Sequence, residues 1–427
     1  VRLIGRDRPA VDLTAEAGRW TRVEARTADS PRSGVLGDPL PPGEGQGEGA
    51  GHDHSVGPVS HRSTNSERPL PNPPPEGAGE GRHDLVWCSG AIDPHINGWG
   101  GCDFLHDDPA DHPQALRALC AAGVTGFLPT LITCGEDELH AALDRWAAWA
   151  AAPPTDTPRF HGVHLEGPFL DPGRAGVHPS VHLRGPDAAW IVALLDRYPG
   201  LVRLVTVAPE LPGALEVIEA ATGRDVAVGL GHSSATVAEV ERAAARGARY
   251  VTHLFNAMGS FHHRAAGLVG AALARSDLFG EVIGDGHHVG PEGLAIAWRC
   301  LGAGRLVLVS DAVAAAGGGM DRFRLGEVEG RVVAGRAVDR EGRLCGGLAS
   351  SWEGVRRVAA AAGVEWQGVV PCVRATVIAA LGLDAMADPA PGEPADLVGL
   401  DGAGQVRAVL RNGAWLVAPG PLAGCTP

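Results

Sequence analysis

Positive charge is in short supply in this chain: 36 lysines and arginines face 50 aspartates and glutamates, for a net charge of −14. Such a balance argues against a nucleic acid or an anionic membrane surface as the main partner. It leaves room for a small anionic substrate held by a few local cations. Long apolar runs are missing too. None approaches 18 residues, so no membrane-spanning helix is expected. The eight cysteines (88, 102, 120, 134, 300, 345, 372 and 425) contain no Cys-x-x-Cys pair. With no secretory leader in view, they read as reduced thiols of a cytoplasmic protein.

What is present is a repeated alternation. Apolar runs bounded by turn residues occur at 85–96, 124–132, 160–165, 202–207, 226–230, 250–255, 278–283 and 306–309. Between them lie helical stretches such as 113–122, 136–151, 187–198, 213–221 and 291–302. Eight βα units of this size predict an α/β protein, a (β/α)8 TIM-type barrel. The flanks read differently. Residues 1–26 and 391–427 look like short strands of one small β-sandwich domain built from both chain termini. The barrel is assigned to 84–321, a β segment to 322–350, and a helical segment completing the barrel surround to 351–390, with helices at 351–362 and 367–381. Residues 27–83 form a Gly/Pro-rich insertion with a near-repeat, PPGEGQGEGAG and PPPEGAGEGR. Its composition cannot bury enough apolar surface to offset its ordering entropy, so disorder is expected. The triplet His52-Asp53-His54 sits in this tract with no strand to fix its geometry, and is read as solvated.

The stretch 225–264, DVAVGLGHSSATVAEVERAAARGARYVTHLFNAMGSFHHR, reads strand, helix, strand, with a histidine closing each strand. His232 and His253 therefore reach one edge of a parallel sheet, and in a barrel the C-terminal edge is where chemistry is done. The other strand tips add His95 and Asn97, His164 and Glu166, Asp285, His287 and His288, and Ser310 and Asp311. Only the second and fourth tips lack a metal-competent or proton-transferring group. Taken singly these residues have ordinary explanations: Glu166 a strand-end ion pair, Asp311 a helix N-cap, His164 a satisfied core imidazole. Their joint position on one face carries the functional reading. One Glu and two His around a divalent cation leave a position open for water, as in catalytic zinc sites. A separate carboxylate at strand eight, Asp311, can then move protons. The chemistry so permitted is metal-assisted hydrolysis of an amide or related bond.

The motifs GVHLEGPFL, GLGHSSAT, VTHLFNAM, GDGHHV and VSDAV, in this order, resemble the N-acetylglucosamine-6-phosphate deacetylases of the amidohydrolase superfamily. The resemblance covers about Asp84 to Leu400 and includes GEPADLV near its end. It implies Glu166, His232 and His253 as ligands of one divalent metal per subunit, zinc first, with iron, cobalt or manganese as alternatives. It implies Asp311 as the acid/base, His178 as the group polarising the acetyl carbonyl, and His288 as a ligand of a sugar hydroxyl. Asn256, the Ala257 backbone and Arg264 would hold the phosphate of a phosphorylated N-acetyl amino sugar. Arg264 would do so in the partner's site of a homodimer. Two departures stand out. Strand one reads His95-x-Asn97 where many amidohydrolases have His-x-His, which favours a single metal and leaves His95 as a possible extra ligand. The Gly/Pro tract also interrupts what should be orderly β structure. Alternatives to acetyl removal from N-acetylglucosamine 6-phosphate are the galactosamine epimer, a related amidohydrolase activity on cyclic amides, and a non-catalytic sugar-phosphate binder.

Overall fold

The computed structural model describes residues 11–16, 19–25, 85–385, 388–391 and 394–419. The Gly/Pro tract and its His52-Asp53-His54 triplet lie outside them. Eight strands, β1 (Ala91–Ile96), β2 (Val124–Ile132), β3 (Val163–Glu166), β4 (Val202–Val207), β5 (Ala227–Leu230), β6 (Tyr250–Val251), β7 (Phe279–Ile283) and β8 (Leu306–Val309), pair in parallel in chain order. The ring closes from β8 back to β1. A parallel bridge joins Ile96 to Ala312, the Asp311 amide donates to the His95 carbonyl at 2.9 Å, and Asn97 N–H donates to Ala312 O at 2.7 Å. This is the expected (β/α)8 barrel.

Helices separate the strands, among them α1 (Pro113–Ala121), α2 (Glu136–Ala151), α3 (Ala188–Arg197), α4 (Ala214–Thr222), α5 (Val237–Ala245), α6 (Gly267–Ala274) and α7 (Pro291–Arg305). The α5 start shows how local sequence aims the site. Thr236 and Glu239 form a reciprocal capping box, which satisfies two orphan donors and fixes where the helix begins after His232. Helix and strand layers meet in an aromatic cluster, where Trp146 of α2 stacks on Phe160 (5.7 Å) and meets Phe127 of β2 (5.8 Å). Trp146 is wholly buried, so Trp146→Ala should cost about 3–5 kcal/mol. Among the described residues no helix is long and apolar enough to cross a membrane.

The first apolar run does not form the single strand its composition suggests. Val86–Cys88 is separate and pairs antiparallel with Leu397–Leu400, and β1 starts three residues later. The break falls at Ser89-Gly90, where a Cβ on Gly90 would stand 2.2 Å from the Thr125 methyl, so only glycine lets the chain pass β2 and change sheets. Leu397–Leu400, Val406–Arg411 and Ala414–Val417 complete a four-stranded antiparallel sheet with Val86–Cys88, while Val11–Glu16 and Arg19–Ala25 form a hairpin bridged to Pro394 through Arg19. The extra β domain thus draws on both ends of the sequence. A three-stranded meander, Arg322–Leu325, Val328–Val333 and Arg336–Val338, follows β8. The helix expected at 367–381 is reduced to Ala375–Leu381 behind two short 3-10 turns; Pro371 in the second of these lacks the amide a continuous helix needs.

Candidate active site at the C-terminal face of the barrel

Strand β6 is only two residues long, shorter than the run 250–255 suggests, because the chain turns sharply at its tip. Of eight non-glycine residues with positive φ among those described, five lie here: His232 (47°), His253 (28°), Phe255 (83°), Ala257 (50°) and Asp311 (46°). Such backbone is costly, and it clusters where surrounding structure holds functional groups in place. The turn swings His253 inward toward His232 of the β5 tip and Glu166 of β3.

These three form a convergent, buried cluster whose ligand atoms all lie within 4.8 Å of one another. Glu166 Oε1 is 3.0 Å from His232 Nε2 and 2.9 Å from His253 Nε2, and the two nitrogens are 3.0 Å apart. The tautomer of His232 follows from its other nitrogen. Nδ1 is 2.8 Å from the Arg174 carbonyl, which can only accept, so the proton sits on Nδ1 and the Nε2 lone pair faces the cluster. Burial, together with His178, pushes the His232 imidazole down to about 4, favouring the neutral, ligating form. Burial alone would raise the Glu166 carboxyl, but His95, His178 and His232 outweigh it and hold it well below the usual range. One carboxylate and two imidazoles whose ligand atoms converge suit a divalent cation of the zinc type.

Asp311 stands beside this cluster. Its Oδ1 accepts from the Asn97 side-chain amide at 2.7 Å and lies 3.3 Å from His95 Nε2. Burial raises the Asp311 carboxyl above its ordinary range, His95 opposes the shift and Glu166 adds to it. Asn97, unsuited as a metal ligand, is thus used to hold the carboxylate. His95 is fully buried, with Nδ1 2.7 Å from Glu281 Oε1 and Nε2 3.4 Å from Glu166 Oε2. It adjoins the three-residue cluster without being part of it.

His178 arrives on the loop after β3, outside any strand. The Thr133 backbone amide donates to its Nδ1 at 3.3 Å, and the Thr133 hydroxyl lies 3.0 Å away. A backbone N–H can only donate, so the ring proton belongs on Nε2, which points to Glu166 Oε2 at 3.5 Å. His288 is oriented by Asp285, whose Oδ2 is 2.7 Å from Nδ1. His178, His288, Asn256 and Ala257 line one cavity of about 350 Å³ together with the cluster and Asp311. Arg264 is not brought there by its own chain. It is exposed, with its guanidinium 3.1 Å from His263 Nε2. His164 is a core imidazole: Thr130 lies 3.2 Å from Nδ1 and Thr206 2.8 Å from Nε2.

Three residues of this arrangement escaped a reading confined to strand tips of obvious chemistry. Thr133 belongs to the second tip, which had looked empty. Glu281 lies inside β7, fully buried, and also receives the Tyr250 hydroxyl (2.6 Å) and the His253 amide (2.9 Å). Arg174 acts on His232 through its carbonyl, which no side-chain motif can reveal.

A barrel with a Glu-His-His cluster and a neighbouring carboxylate at its C-terminal face defines an amidohydrolase-type protein. No family model matches the chain. Individual proteins do. It is 38% identical over 348 residues to N-acetylglucosamine-6-phosphate deacetylase from Bos taurus, covering 78% of this chain and 84% of that protein. It is 34% identical to N-acetylgalactosamine-6-phosphate deacetylase from a Shewanella species, covering 77% and 82%. Among solved structures, N-acetyl-D-glucosamine-6-phosphate deacetylase from Mycobacterium smegmatis superimposes with a TM-score of 0.76 at 30% identity, covering 95% of each chain. The chain belongs to the N-acetylglucosamine-6-phosphate deacetylase family, metal-dependent amidohydrolases acting on carbon–nitrogen bonds in amino-sugar metabolism.

Proposed function

We propose that the chain hydrolyses the acetamide of N-acetylglucosamine 6-phosphate to glucosamine 6-phosphate and acetate, with Glu166, His232 and His253 holding one divalent metal. The observation that carries the reading is the convergence of Glu166, His232 and His253 within 4.8 Å of one another, in the cavity that Asp311 also lines. A divalent ion in that position supplies Lewis acidity, lowering the pKa of a bound water toward about 7 and polarising a carbonyl. Asp311 accepts a proton from the attacking water and returns it to the departing amine. A raised carboxyl suits that exchange, since acid and base forms must both be within reach. His178, with its proton on Nε2, donates to the acetyl oxygen as charge builds there. His288 offers Nε2 to a sugar hydroxyl, because Asp285 engages Nδ1.

The phosphate is held by the Asn256 amide, the Ala257 N–H and, across a homodimer, Arg264. A planar guanidinium matches a phosphate better than a point charge does. Arg264's exposure, away from its own chain's cavity, is compatible with that reach. A cytoplasmic setting accords with free thiols at the seven described cysteines. The Shewanella relative named for the galactosamine epimer makes that sugar the second reading. Acetate release should be measured on N-acetylglucosamine 6-phosphate, its galactosamine epimer and unphosphorylated N-acetylglucosamine, with and without chelator. Fast, chelator-sensitive release from the glucosamine phosphate is expected. Preference for the galactosamine phosphate would install the second reading, and chelator-insensitive release would remove the metal from the mechanism.

A further inference from the structure

A second recess, of about 660 Å³, lies between the loop around Gly101–Asp107 and the edge strand Arg322–Leu325 of the meander. Four arginines, 322, 324, 331 and 340, contribute to its lining, in a protein whose net charge is −14. Their arrangement is unusual for a solvated face. In the ladder Arg322 stands directly opposite Arg331, and Arg324 opposite Glu329. The second pair is complementary, and Arg340 also bonds to Glu329. The first is a like-charge pair at the shortest cross-strand spacing, an arrangement that destabilises a sheet. Neither Arg322 nor Arg331 has an ion pair among the described residues. Glu329 attracts Arg322 at a distance but is bonded to Arg340, and the other two carboxylates of the recess are engaged by backbone amides. Asp103 accepts from the Leu105 and His106 amides (2.9 and 3.2 Å), and Asp107 from the Asp103 amide (2.8 Å).

The recess also has an apolar side. Phe323 is buried against Gly330 on the other face of its strand, so the apolar contribution is the half-exposed thioether of Met320. Two guanidinium forks side by side can share the oxygens of one dianion, each donating two parallel hydrogen bonds. A carboxylate would neutralise only one of them. The remaining volume accommodates a sugar-sized body beside Met320. The site is separate from the catalytic cavity, which neither Arg322 nor Arg331 lines; Leu325, three residues along the same strand, does line it.

We propose that this recess binds the phosphate monoester of a small organic molecule, through Arg322 and Arg331, at a site distinct from the catalytic cavity. The inference does not depend on the identity of the catalytic substrate. It is tested by equilibrium dialysis of the full chain against radiolabelled glucosamine 6-phosphate at fixed ionic strength. The Arg322→Glu, Arg331→Glu double variant should lose one bound equivalent relative to the unaltered protein while keeping its acetate-release rate within about twofold. A Lys-for-Arg pair should still bind, more weakly, because the fork geometry is gone. Unphosphorylated glucosamine should not fill the lost site. Arg322→Glu alone turns the like-charge pair into a complementary one, so its Tm should not fall although phosphate binding drops at least tenfold. A control pair, Arg242→Glu with Arg299→Glu, changes net charge equally at distant exposed positions. If the control loses as much binding as the double variant, or the double variant loses none, the proposal is overturned. Absence of a second, remaining equivalent would instead count against the catalytic reading and leave the recess intact.

Discussion

The two ends of the catalytic cavity are built differently. At the reactive end, Glu166, His232, His253 and His178 are buried, at 4, 5, 4 and 6% exposure, and several of the groups there are fixed by a second one. The Arg174 carbonyl sets the His232 tautomer, the Thr133 amide sets that of His178, and Asn97 holds Asp311. At the far end, Asn256 and Ala257 are half-buried, and Arg264 is exposed outside its own chain's cavity. The chemistry is preorganised within one chain, whereas the groups proposed to grip the phosphate are left open for substrate or a second chain to complete. Preorganisation costs backbone strain and buried charge, and it is spent where charge develops in the reaction. Recognition of a hydrated dianion tolerates an exposed rim.

The largest effects should come from breaking the reactive end. Purified protein should contain about one equivalent of divalent metal, the number expected for a catalytic site with three protein ligands. His232→Ala should lose it and acetate release together, and chelation should do the same reversibly. Two equivalents in elemental analysis would mean that His95 also binds metal. Asp311→Asn should keep the metal and the fold and lose roughly 10²–10⁴-fold in turnover, the usual contribution of a general acid–base group. That loss should fall on kcat rather than KM. A fall in metal content would make Asp311 a ligand instead.

The contrast also explains what the sequence could disclose. Glu166, His232, His253 and Asp311 were legible because a barrel turns strand ends into neighbours, so the eightfold βα rhythm converts distant residues into one face. Glu281 was not. It meets His95 across 186 residues from inside a strand, and no periodicity encodes that contact. Thr133 meets His178 across 45 residues through a backbone amide, which has no residue signature. His164 shares the strand face of Glu166 by alternation, and Thr130 and Thr206 on neighbouring strands identify it as the core imidazole its sequence position allows. The fold erred for a related reason at 85–96. An apolar run reports burial, but it cannot report that Gly90 lets the chain leave one sheet for another.

A smaller effect, confined to recognition, is expected at the open end. Hydrogen bonds to charged groups contribute about 1.5–3 kcal/mol, so Arg264→Ala should raise KM for the phosphorylated sugar about 10- to 100-fold. Unphosphorylated amides should be little affected. Mixing Arg264→Ala with Asp311→Asn protein should restore activity in heterodimers, one working site drawing Asp311 from one chain and Arg264 from the other. Mixed dimers that form without recovery would confine Arg264 to its own chain.

The smallest and most diagnostic change is at Asn97, whose amide donates to Asp311 Oδ1 at 2.7 Å. A hydrogen bond given to a carboxylate stabilises its ionised form and lowers its pKa. Removing the donor in Asn97→Leu must therefore raise the Asp311 pKa further above the ordinary carboxylate range, where burial already places it. Asp311 has to be ionised to accept the proton of water, so activity is lost as pH falls through its pKa. The acid limb of the kcat profile should shift to higher pH by about one to two units, the equivalent of one charge-assisted hydrogen bond. At the alkaline plateau, where Asp311 is ionised in both proteins, turnover should differ by less than about tenfold. An acid limb that stays in place while the plateau collapses would show that Asn97 serves the substrate or the metal rather than the carboxylate.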